Sequence, residues 1–62
     1  MKIYTNISQT QLSVARHYGA CTINGDRYIY IPQHDALIEE GLMKEYNKFN
    51  GNFEEFIKMQ NG

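Results

Sequence analysis

The chain has 62 residues, 42% hydrophobic and 21% charged, with a net charge of −1 and a single cysteine. That length holds one domain, residues 1–62, close to the lower limit for folding without a staple, and one cysteine excludes an internal disulfide framework. The near-zero charge argues against a protein held to nucleic acid mainly by charge. No apolar run follows Lys2 or reaches membrane-spanning length, so the chain reads as cytoplasmic, with no membrane contact.

Charge is spread unevenly. Residues 1–34 carry a balance of +2, from Lys2, Arg16 and Arg27 against Asp26, and residues 35–62 a balance of −3.

Lys2-Ile3-Tyr4-Thr5 has the β-branched and aromatic character of a short strand. Ser8 and Gln11 then have the spacing of a capping box, with Ile7 and Leu12 at the staple positions. The pattern predicts a helix over 9–18, closed by Gly19 in a left-handed conformation. Leu12, Ala15 and Tyr18 are expected to face the core, with Gln11 and Arg16 in solvent.

Residues 20–32 form two β-prone runs separated by Asn24-Gly25, the strongest short-range signal for a hairpin. Two registers compete. A two-residue turn pairs Cys21 with Tyr28 and puts Ile23 on the tyrosine face. A three-residue loop pairs Cys21 with Ile29, gathering Cys21, Ile23, Ile29 and Ile31 on one side and Thr22, Tyr28 and Tyr30 on the other. Turn chemistry favours the first and the binary pattern the second; core burial tips the expectation to the second. Pro32 ends the strand.

Leu37, Ile38, Leu42, Tyr46 and Phe49 recur at helical spacing, predicting a helical region from His34 or Asp35, with Gly41 inside it. Asn50-Gly51 stops it. Asn52 and Glu55 form a second capping pair, and Phe53, Phe56 and Ile57 line the inner face of a last helix, with 60–62 fraying. Glu40 and Lys44 have the favourable i,i+4 order for an ion pair. The fold expected is a small α+β domain of order β-α-β-β-α-α, with a three-stranded antiparallel sheet covered on one face by helices. Its expected core is Ile3, Leu12, Val14, Ile23, Ile29, Ile31, Leu37, Ile38, Leu42, Phe49, Phe53, Phe56 and Ile57.

Little in the chain carries chemistry. His17, Cys21, His34 and Asp35 have no recognised metal-ligand spacing. Cys21 reads as a small buried residue and the histidines as surface or edge groups. Adjacent helical carboxylates, at Glu39-Glu40 and Glu54-Glu55, point about 100° apart and make no acid–base pair. The reading is therefore of a non-enzyme without cofactor or metal.

The aromatic residues are more suggestive. Tyr4, Tyr28 and Tyr30 are expected on one open sheet face or edge, with Arg27 and Lys2 nearby. Tyrosine and arginine are enriched in protein-binding hot spots, and sheet aromatics with interleaved positive charge also stack unpaired bases. The expected function is a small interaction module that regulates or inhibits a partner protein through Tyr4, Arg16, Arg27, Tyr28 and Tyr30. A nucleic-acid-binding module on the same residues is the alternative. The thin core and exposed strand edges also favour a homodimer. In outline, with its initiator methionine, its asparagine and tyrosine content and no catalytic motif, the chain resembles small phage and mobile-element proteins, many of which block or redirect one host protein.

Overall fold

In the computed structural model, which describes residues 2–61, the chain opens with β1 (Ile3–Tyr4) and two 3-10 turns (Ile7–Gln9 and Gln11–Val14). A single α-helical turn, α1 (Ala15–Tyr18), leads into β2 (Ala20–Ile23) and β3 (Asp26–Ile31). A 3-10 turn (Pro32–His34), β4 (Ala36–Glu39) and a further 3-10 turn (Glu40–Leu42) precede α2 (Met43–Lys48) and α3 (Phe53–Asn61). The strands form one antiparallel sheet of order β1-β4-β3-β2. The α+β class agrees with expectation; the sheet has four strands rather than three.

The fourth strand is the segment that reads as the start of a helix. Asp35 adopts the left-handed conformation, φ 48° and ψ 50°, which aspartate tolerates better than most residues. It turns the chain back after Pro32–His34, so that Ala36–Glu39 runs antiparallel to β3 with Ile31 opposite Ala36. β4 lies between β1 and β3, and Ala36, Leu37 and Ile38 are fully buried. A strand buried on both faces shows an unbroken apolar run instead of alternation, and such a run cannot be told from a buried helix by period alone. Gly41 accordingly lies in the 3-10 turn before α2, not inside a helix.

The hairpin takes the register that its turn demands. Asn24 and Gly25 have φ of 51° and 86°, the signature of a two-residue type I′ turn. Cys21 pairs with Tyr28 and Ile23 with Asp26, so the expected Cys21–Ile29 pairing is corrected. Gathering the isoleucines on one side is favoured only where the sheet buries a single face. In fact both faces are covered, and the isoleucines need not be gathered on one side.

One face packs Tyr4, Cys21, Ile23, Tyr28, Tyr30 and Leu37 against Ile7, Leu12 and Ala15 from the segment between β1 and β2. The other sets Ile3, Ile29, Ile31 and Ile38 against side chains of residues 42–57, with Phe56 at its centre. The expected single helical layer is thus corrected to one layer on each side. Val14, expected in the core, is 54% exposed, whereas Ile7 is fully buried.

Local signals fare unevenly. The expected helix over 9–18 is two 3-10 turns and one α-helical turn, capped by Thr10, whose side-chain oxygen accepts the Leu12 N–H at 3.1 Å. The Ser8 N–H is drawn instead to the Asp35 carboxylate at 3.0 Å. Gly19 closes α1 at φ 78°, with its N–H on the Ala15 carbonyl at 2.8 Å. Asn50 and Gly51, at φ 50° and 88°, break the chain before α3. The Asn52 side chain then accepts the Glu55 N–H at 3.2 Å, as the capping pair predicts. Gln60 is still helical, and Gly62 lies outside the described residues.

Phe56 is fully buried and touches the rings of Tyr46, Phe49 and Phe53. Phe56→Ala removes about 3–5 kcal/mol, enough to unfold most of a domain this small, whereas Met59→Ala, on the exposed side of the same helix, changes stability by about 0.5 kcal/mol or less. Urea denaturation followed by circular dichroism separates the two.

Candidate functional site

The five residues expected to bind a partner divide into two groups. Tyr4, Tyr28 and Tyr30 share a sheet face, as expected, but that face is covered. Tyr28 is only 4% exposed, and its ring meets Tyr4 edge-on with centroids 5.4 Å apart. Burial, with smaller contributions from Tyr4, Glu39 and Asp26, raises its hydroxyl above the ordinary tyrosine pKa. Placement of Tyr28 and Tyr30 on an open face or edge is therefore corrected: Ile7, Leu12 and Ala15 lie over them.

Tyr30 and Arg16 meet at Asp35. The Tyr30 hydroxyl donates to Asp35 Oδ1 at 3.0 Å, and Arg16 Nε lies 3.7 Å from the same oxygen. The Ser8 N–H donates to Oδ2 at 3.0 Å, and the Ile7 N–H to the Asp35 carbonyl at 3.2 Å. One residue thus fastens the segment over the sheet, β3 and α1 together. Hydrogen bonding from Ser8 is the main cause holding the Asp35 carboxyl below its usual pKa, with Tyr30 and Arg16 adding to it and partial desolvation opposing.

Arg27 belongs elsewhere. It stands opposite Thr22 on the sheet face away from Tyr28, with its Nε 3.2 Å from Glu40 Oε2. Glu40 thereby pairs with Arg27 in place of the expected Lys44, and Lys48 pairs with Glu45 at 3.3 Å.

The residues weighed for metal or thiol chemistry stay apart. His17 is exposed on α1 and Cys21 is half-buried in β2. His34 is not a simple surface group: its ring stacks on Phe53 with centroids 4.2 Å apart and planes 9° from parallel. Among the described residues no three His, Cys, Asp or Glu side chains gather as a metal site requires. No helix among them is long and apolar enough to cross a membrane.

The surface that sequence reasoning missed lies on the helical segment over the sheet. Tyr18 is 78% exposed and Val14 54%. Four residues apart, they share one side of that segment, while Leu12 and Ala15 turn inward. The signal was present as two interleaved pairs, Leu12–Ala15 and Val14–Tyr18, of which only one can face the sheet. Exposed Gln11, Arg16 and His17 border the pair.

The chain matches no known protein family, no curated protein and no solved structure.

The bonds to Asp35 carry a pH dependence of definite sign. A carboxyl whose folded pKa is depressed stabilises the fold above its unfolded pKa and loses that contribution as pH falls through the folded value. Thermal melts from about pH 5 down to about pH 2 show the loss. Asp35→Asn, which still tolerates the left-handed turn, flattens the dependence, and Asp35→Ala lowers the melting temperature at neutral pH below that of Asp35→Asn.

Proposed function

We propose that the protein is a small non-enzymatic interaction module that regulates or inhibits a partner protein, docking through the helix face of Val14 and Tyr18 with Arg16 at its margin. The observation that carries this reading is the 78% exposure of Tyr18 beside an exposed valine, in a domain whose other tyrosines are at least half-buried. A large ring held on an ordered helical turn loses little conformational freedom on binding and offers both an apolar body and a hydroxyl. The tyrosines of the hairpin act from beneath, holding that segment in place through the cluster around Tyr28 and the Tyr30–Asp35 bond. Arg16 and Arg27, which a nucleic-acid reading would send to phosphates, each face a carboxylate of this chain. That favours a protein partner.

Capture from nuclease-treated bacterial lysate, compared between the wild type and Tyr18→Ala/Val14→Ser, tests the reading. A stoichiometric protein retained by the wild type is lost by the double variant, with affinity reduced about thirtyfold or more and the circular dichroism spectrum unchanged. Equal retention by both forms would remove the helix face from the interaction. Retention abolished by nuclease would turn the reading to nucleic acid.

A further inference from the structure

β2 is an outer strand of the sheet, and its free edge has the features of a pairing surface. Ile23 and Asp26 close the type I′ turn, Cys21 pairs with Tyr28, and the Tyr30 N–H donates to the Gly19 carbonyl at 2.8 Å. Antiparallel alternation then turns the N–H and C=O groups of Ala20 and Thr22 away from β3. Sheet edges are ordinarily guarded by charge, by proline or by brevity. No residue from Gly19 to Gly25 is charged or proline, and Thr22 is exposed. The opposite edge, β1, is only two residues long and follows Lys2.

We propose that two copies of this chain pair antiparallel through β2, about a twofold axis at Cys21, joining their four-stranded sheets into one. Ala20 of each copy exchanges two backbone hydrogen bonds with Thr22 of the other, satisfying the outward groups of both residues. Cys21 then stands opposite Cys21 of the second copy at a non-hydrogen-bonded position, where Cα atoms lie about 4.5 Å apart.

A second copy fits this edge by shape and without like charges meeting. Small residues meet across the axis, with no bulky side chain forced against its own image. Antiparallel alignment brings the end entered from α1 to the other copy's hairpin end, where Asp26 is exposed. Arg16 and Arg27 are each answered within their own copy, by Asp35 at 3.7 Å and Glu40 at 3.2 Å, so Asp26 meets no like charge there. A twofold axis perpendicular to the sheet also leaves both α1 segments on one side, displaying the Val14–Tyr18 face twice.

Sedimentation equilibrium of the full chain tests the pairing. The wild type is expected at twice its 7.2 kDa mass. Thr22→Pro removes a donor only from the outward side, and Thr22→Lys adds a guarding charge while keeping the N–H. Each weakens association about tenfold or more with an unchanged circular dichroism spectrum. Copper–phenanthroline, taking two electrons as the two thiols release their protons, joins Cys21 to Cys21 within the dimer, since disulfides span Cα separations of about 4.4–6.8 Å. A dimer indifferent to both substitutions, or one that does not cross-link, would overturn the pairing. A monomeric wild type would overturn it too, and one that still captures a partner protein leaves the proposed function standing.

Discussion

Much of this structure hangs on the left-handed turn at Asp35. Its backbone sends the chain back along β3 and makes a strand of Ala36–Glu39, which becomes a central member of the sheet. Its carboxylate and carbonyl together receive the Ser8 and Ile7 N–H groups and the Tyr30 hydroxyl, with Arg16 close by. Without that turn, β1 would lack the partner strand it pairs with. Without those acceptors, the segment over the tyrosines would rest on Ile7, Leu12 and Ala15 alone. The residue type suits both tasks: aspartate tolerates positive φ and offers two strong acceptors on a short stem.

The sheet's position between two layers explains how so short a chain supports a core. A two-faced sheet lets β4 bury Leu37 toward one layer and Ile38 toward the other, so that neither side chain is spent on solvent. The layers differ in kind. One is aliphatic and tyrosine-rich, fastened by polar bonds at its margin. The other is an aromatic cluster in which Tyr46, Phe49 and Phe53 surround Phe56, with His34 stacked at its edge.

Several signals confined to a few neighbouring residues were legible in the sequence. The Asn24-Gly25 turn, the Gly19 terminator, the Asn50-Gly51 break and the Asn52 cap all act through local backbone geometry, and all stand where the residues place them. Apart from the Ser8–Gln11 and Glu40–Lys44 pairs, which lost to partners distant in sequence, what failed depended on how many faces the sheet buries. A single hydrophobic face favours the Cys21–Ile29 register, and Leu37 and Ile38 join the helical spacing of Leu42, Tyr46 and Phe49 because their own run shows no alternation. The candidate surface suffered the same way. Tyr28 and Tyr30 lie beneath a layer whose path depends on Asp35, 27 residues beyond Ser8 in sequence, while Tyr18, assigned inward, stands in solvent.

The strand order also sets the entropic cost of closing each strand pairing. β2 joins β3 through two residues and β3 joins β4 through four, so these pairings close short loops at little entropic cost. Only β1 must cross a long span of chain to reach Leu37 and Ile38. The amino-terminal strand is thus the costliest member of the sheet to bring into place, its pairing closing a loop several times longer than either hairpin.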